Sequence, residues 1–178
     1  PIVGGLNEED ASIHANYLSA ELARVYGGKA EQFYAPAVLS DPMIRKGLLA
    51  EKAFARLHEL HRNLDVIVTG VGVPSRGLSS LVRGGYIGRE KLQEYLQNGL
   101  AGDIALQLYD ENGLTAPFAE HNRCVSGLPL ERFARVPIRI GVAAGADRAK
   151  ALAGALKGGF LNIVILDAPC AQALWERA

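Results

Sequence analysis

The sequence predicts an α/β fold built on a parallel sheet, and three observations lead there. Short apolar or β-branched runs, of which Leu64 to Gly72 is the strongest, alternate with longer stretches whose apolar residues recur at helical spacing. Glycines close most of the short runs, where a strand must turn into the next element. The chain has 178 residues, 49% apolar and 21% charged, which suits one domain able to bury its own core.

Taken in order, Pro1-Ile2-Val3 runs into Gly4-Gly5 and reads as the end of a strand already under way, so the chain is expected to begin inside a longer protein. Asn7 to Ala11 offers an acidic, cap-like entry to a helix. Its Ile13, Tyr17, Leu18, Leu22 and Val25 share one face, and Gly27-Gly28 stops it. Gln32 to Val38 is a short strand-like piece. Ser40-Asp41-Pro42 supplies an N-cap with proline behind it, and an amphipathic helix follows. The second helix of this pair, Glu51 to Arg62, turns Ala53, Phe54, Leu57 and Leu60 inward. Leu64 to Gly72 has the composition of a central strand.

Leu78 to Val82 begins a short helix, Gly84 to Gly88 is a turn, and Arg89 to Asn98 is a helix packed through Leu92, Tyr95 and Leu96. Ile104 to Tyr109 is a strand, and Asp110-Glu111-Asn112-Gly113 reads as a hairpin turn because Asn-Gly supplies positive φ angles. The partner strand is expected near Arg123 to Ser126, giving a small β-hairpin insertion. Then come a short helix from Leu130 to Ala134, a buried strand from Pro137 to Ala143, and an alanine-rich helix from Ala146 to Leu156 capped by Gly158-Gly159. Strand Ile163 to Leu166 and helix Ala168 to Glu176 complete a single domain, 1–178.

Several functions are disfavoured. Nineteen basic and nineteen acidic side chains cancel, so no summed field draws this chain to nucleic acid or anionic lipid. Cys124 and Cys170 form no CxxC pair, which supports neither a disulfide framework nor zinc and points to the cytoplasm. Apolar stretches break well before the roughly 18 residues of a membrane span. His58 and His61 lack a third ligand at sensible spacing, Ser75 and Ser79 lack a hydrolase elbow, and Cys124 has no thiolate-stabilising context. No metal, cofactor or catalytic residue is assigned.

Ligands of open parallel sheets meet the carboxyl ends of strands, where glycines let backbone approach an anion. Gly4-Gly5, Gly70-Val71-Gly72, and Gly141 with Gly145 mark three such ends, short of a dinucleotide fingerprint or P-loop, and taken singly each reads first as a tight turn. Near them, Arg83 and Arg148 could clamp phosphate or carboxylate, and Asp103 could accept from sugar hydroxyls. Arg148 also reads as a solvated helix residue, Asp103 as a turn former, and His14, beside Asn16, as a structural histidine or a ligand contact.

The run Gly145-Ala146-Asp147-Arg148-Ala149-Lys150-Ala151, followed by Gly158-Gly159-Phe160-Leu161-Asn162-Ile163-Val164-Ile165-Leu166-Asp167, resembles the closing signature of the SorC family's sugar-binding domain. Leu39-Ser40-Asp41-Pro42, Gly70-Val71-Gly72, Leu81-Val82-Arg83-Gly84-Gly85-Tyr86, Gly102-Asp103-Ile104 and Leu130-Glu131-Arg132-Phe133 precede it in the family's order. The resemblance implies a Rossmann-like domain akin to glucosamine-phosphate and ribose-phosphate isomerases. Such a domain senses a sugar or sugar phosphate, forms dimers or tetramers, and reaches operator DNA only through a separate DNA-binding domain. By position, the implied pocket takes Gly5, His14, Gly70, Gly72, Arg83, Asp103 and Arg148. Arg148 stands where the family usually has lysine, and the family's Gly-Gly-Thr-Thr-like phosphate loop lies upstream of Pro1. An isomerase with Asp103 as base is the alternative on the same fold.

Overall fold

The structure is a computed structural model that describes residues 1–5, 11–74 and 80–177. Its contacts group into two units, Pro1–Leu64 with Arg123–Leu128, and Asp65–Asn122 with Pro129–Ala178.

In the first unit a 3-10 turn, Ala11–Ile13, leads into α1, Ala15–Tyr26, which ends where Gly27 takes φ 65° and bonds back to Ala23. The cap-like entry lies, up to Asp10, outside the described residues. The apolar stripe is present on the helix, but Ile13, Tyr17, Leu18, Leu22 and Val25 are all exposed. A polar tie anchors α1 within its unit: the Asn16 side chain accepts from the Phe33 N–H at 2.8 Å and donates to its C=O. The extended segment after it alternates, with Phe33, Ala35 and Ala37 buried and Tyr34 out. It makes isolated bridges, Gly5 to Pro36 and Val38 to Val125, rather than a ladder, because Pro36 has no N–H to extend one.

Asp41 then caps α2, Pro42–Leu49, accepting from the Met43 N–H at 2.6 Å with proline in the first turn. A 3-10 turn, Lys52–Phe54, continues into α3, Ala55–Arg62. Phe33, Ala35, Phe54 and Leu57 form the core here, with the two phenyl rings edge to face at 5.8 Å. Ala53 and Leu60, expected inward, are exposed. His58 and His61 bond the carbonyls of Leu49 and Pro1.

The second unit begins with β1, Val66–Gly70. α4, Ser80–Arg83, and α5, Arg89–Gln97, follow; the expected start of the first at Leu78, like Ser75 and Ser79, lies outside the described residues. Next come β2, Leu100–Ile104, β3, Gln107–Asp110, α6, Ala119–Asn122, and α7, Leu130–Phe133. The unit closes with β4, Ile138–Ala143, α8, Ala149–Lys157, β5, Ile163–Leu166, and α9, Ala168–Trp175.

β1, β4 and β5 form a parallel sheet in the order β1-β4-β5, with Val66 opposite Ile138 and Ile140 opposite Ile163. β4 rather than β1 is therefore the middle strand of the described sheet, a correction to the reading of Leu64 to Gly72. Asn162 ties its lower end: the side chain accepts from the Arg139 N–H and donates to the Pro137 C=O, each at 2.8 Å. Ile67 is buried, whereas Val66, Val68, Ile138, Val142, Ile163 and Ile165 share the opposite face and are exposed.

The hairpin is real but displaced. β2 pairs antiparallel with β3 through a two-residue turn, Ala105-Leu106, which splits the strand expected from Ile104 to Tyr109. Both turn residues are left-handed, with φ 49° and 64°. Such turns favour Asn-Gly, and a non-glycine residue there costs about 1–2 kcal/mol. The Asn112-Gly113 site is a separate turn after β3, where Asp110 Oδ1 accepts from the Asn112 and Leu114 N–H groups at 2.8 Å. Residues 123–126, the expected partner, instead pair with Ala37 and Leu39 in the first unit.

Candidate functional site

Because β1, β4 and β5 are parallel, their carboxyl ends share one edge of the sheet. A cleft of about 560 Å³ opens there, lined by Gly70, Val71, Val142, Ala143, Ala144, Arg148, Ile165, Leu166 and Asp167. Two side chains brace it. Arg148, in the turn before α8, donates through Nε to the Ala144 C=O at 3.0 Å and through Nη1 to the Val71 C=O, stapling the end of β1 to the end of β4. Asp167 caps α9 at the Cys170 N–H, 3.0 Å away, and both its oxygens accept from the Gly145 N–H at 3.0 and 3.1 Å. Gly145 itself takes φ 94°, a backbone shape L side chains rarely adopt.

Behind the β1 end, Gly72 and Asp103 exchange backbone hydrogen bonds at 2.8 and 3.2 Å. The Asp103 carboxylate lies against Gly72 so closely that a Cβ there would fall 2.0 Å from Oδ1. Gly72 is therefore a glycine for packing, whereas Gly70 faces open space. Asp103 is buried, and burial pushes its pKa up to about 6, against the Leu106 N–H bond and the Arg148 charge, which favour the anion. Tyr109, also buried, has a hydroxyl with no hydrogen-bond partner; burial and the nearby Asp103 charge hold its pKa well above the usual value.

Of the residues expected to form the site, Gly70 and Arg148 line the cleft, whereas Gly72 and the buried Asp103 pair behind the β1 end and are not among the residues lining it. Arg83, the last residue of α4, is exposed and is not among the residues lining the cleft. Gly5 and His14 belong to the first unit. Gly5 is in the bridge to Pro36, and His14 is the half-buried residue preceding α1. Asp167 is the residue the sequence reading passed over. Its signal was present in Asp167-Ala168-Pro169, the same cap-then-proline pattern recognised at Asp41.

Fold and cleft together define an α/β domain with an open cleft at its strand ends, where Arg148 and Asp167 stand among the lining residues. The chain belongs to the Sugar-bind family, whose model, "Putative sugar-binding domain", matches residues 1–176. It is 43% identical over 54 residues to the transcriptional regulator LsrR of Escherichia coli K12, a match covering 30% of this chain and 17% of that protein. Its structure superposes on the full-length sorbitol operon regulator SorC of Klebsiella pneumoniae with a TM-score of 0.86 at 26% identity, over 98% of this chain and 56% of that one. A DeoR family regulator from Listeria monocytogenes gives 0.86 at 25%, over 98% and 67%. The chain thus spans little more than half of the SorC protein it matches. These relatives are regulators, which favours the sensor reading over the isomerase. Among the described residues no helix is long and apolar enough to cross a membrane.

Proposed function

We propose that the cleft at the ends of β1, β4 and β5 takes a sugar or sugar phosphate as an effector, and that its occupation shifts the oligomeric and DNA-binding state of a longer, cytoplasmic regulator. The observation that carries this reading is Arg148, which lines the cleft and at the same time acts electrostatically on the buried Asp103. The guanidinium supplies donors for phosphate, and the carboxylate supplies an acceptor for sugar hydroxyls. Gly70 keeps the β1 end low beneath the ligand, and Gly72 makes room behind it for the Asp103 carboxylate. For Gly5, His14 and Arg83 the assignment rests on the family resemblance. Operator DNA is reached through a domain outside residues 1–178, and the ligand is bound without being transformed.

Thermal shift and calorimetry with a panel of hexose and pentose phosphates and the free sugars test this. A bound effector at a hundred times its Kd stabilises the fold by about 2.7 kcal/mol. Arg148→Ala is expected to weaken phosphorylated ligands at least tenfold. Absence of any shift across the panel refutes the sensor, and turnover of an aldose or ketose phosphate shows an enzyme instead.

A further inference from the structure

Among the described residues, Ala105 and Leu106 in the β2–β3 turn are the non-glycine residues with positive φ, and both are left-handed. A turn of this shape persists only where its surroundings over-determine it. Two neighbouring residues at the end of α6 do so. The Asn122 side chain accepts from the Leu108 N–H at 2.8 Å and donates to the Leu108 C=O at 2.9 Å. One residue earlier, His121 Nε2 lies 2.9 Å from the Leu106 C=O. A carbonyl only accepts, so Nε2 carries the proton. The imidazole is buried and lies edge-on to Tyr95, with ring centroids 6.2 Å apart. Burial lowers its pKa, which keeps the neutral ring the stable form.

The same Leu106 residue uses its other polar group on Asp103, its N–H donating to the carboxylate. One residue is therefore gripped at its C=O by His121 and grips Asp103 with its N–H. We infer that His121 is a positioning residue for the effector: acting through Leu106, it fixes the orientation of the Asp103 carboxylate, which lies against Gly72 behind the β1 end of the cleft. The inference rests on the sensor reading for its functional meaning, but its physical content is independent of any ligand. His121 itself touches neither cleft nor effector. Arg148 and Tyr109 are the other charged or titratable groups acting on Asp103, and His121 works beside them by geometry rather than charge.

The first measurement needs no substitution. In the 178-residue chain the Leu106 amide proton is expected to follow the Asp103 carboxyl titration, moving downfield with the same midpoint, because that N–H bonds the ionised oxygen. A Leu106 amide insensitive to that titration overturns the proposal. Next, His121→Ala is expected to raise the Asp103 midpoint by about one pH unit, since the anion loses a well-placed donor. His121→Gln, which keeps an N–H near Nε2, should restore most of it. Ala105→Gly in the His121→Ala background should restore part, by making the left-handed turn easy without its clamp. If His121→Ala is too unstable to study, the amide titration and the Gln variant decide alone. An unchanged midpoint in a folded His121→Ala protein sinks the inference.

Calorimetry with fructose 6-phosphate and ribose 5-phosphate separates this result from failure of the sensor reading. A roughly tenfold loss of affinity in His121→Ala, recovered in His121→Gln, supports both. Equal affinity in wild type and His121→Ala overturns the positioning role. No binding of either sugar phosphate to wild type, with the Asp103 midpoint still shifted by the substitution, counts against the sensor and supports the clamp.

Discussion

Asp103→Asn should make the protein more stable and less able to bind, and the size of the gain follows from the site. The carboxyl group has an ordinary pKa of 3.8 and titrates at about 6 when folded, because the anion is buried. The folded state thus holds the proton more tightly than the unfolded chain. Between those values it binds more protons, so stability falls as pH rises through the window. Two units at about 1.4 kcal/mol each place the penalty near 3 kcal/mol, absent below pH 3.8 and complete above pH 6. Asparagine keeps the shape and an acceptor for the Leu106 N–H but cannot ionise. Urea denaturation of both proteins from pH 4 to 8, with amide exchange of β2 and β3 to isolate the second unit, measures the difference. The curves should coincide at pH 4 and separate by about 2–3 kcal/mol at pH 7.5, with the variant more stable and sugar-phosphate binding lost. Parallel curves, or a variant weaker at pH 7.5 than at pH 4 relative to wild type, would show that Asp103 is not a destabilised buried anion.

Substitutions at three further positions test the neighbouring geometry. Gly72→Ala sets a Cβ 2.0 Å from Asp103 Oδ1 and should cost about 1–3 kcal/mol. Gly70→Ala meets no atom within 4 Å, so it should change stability by less than about 0.5 kcal/mol while reducing calorimetric affinity; equal melting curves for the two variants would refute the packing argument. Asp167→Ala strips the Gly145 and Cys170 amides of their acceptor and should cost about 1–2 kcal/mol, with Asp167→Asn losing less. A denaturation midpoint unchanged in the alanine variant would remove Asp167 as the brace of the cleft.

The elements easiest to read in the sequence were those set by local chemistry. Asp41 before Pro42 and the glycines after α1 fix helix ends through bonds within a few residues, and β1, β4 and β5 were legible from short apolar, β-branched runs. Where a choice depended on distant partners, the sequence misled. Asn112-Gly113 is the better hairpin dipeptide, yet the chain turns at Ala105-Leu106, because Asn122 and His121 hold β3 and the turn from outside. Amphipathic spacing predicted the stripe on α1 but not its exposure, since periodicity says which residues share a face and not what covers it. At the strand ends, Asp103 and Arg148 were singled out by residue type near glycines, whereas the different surroundings of Gly70 and Gly72 required knowing that Asp103 rests on the second.

The polar groups of the second unit sort by what their bonds do. Asn162, Asn122 and Asp167 spend their hydrogen bonds on backbone amides and carbonyls, which fixes strands and loops whether or not a ligand exists. The β2–β3 hairpin is different. It holds two left-handed non-glycine residues, a buried carboxylate displaced from its ordinary pKa, and the unpaired Tyr109 hydroxyl, all within residues 103–109. Each of these carries a local cost, which the buried Leu106 side chain and the Tyr109 ring, 5.4 Å from that of Phe160, offset by packing. A neutral residue at 103 would remove the desolvation cost, so a buried carboxylate beside Arg148 fits the proposed effector role, whereas Leu106 keeps its left-handed backbone because its side chain belongs to the core.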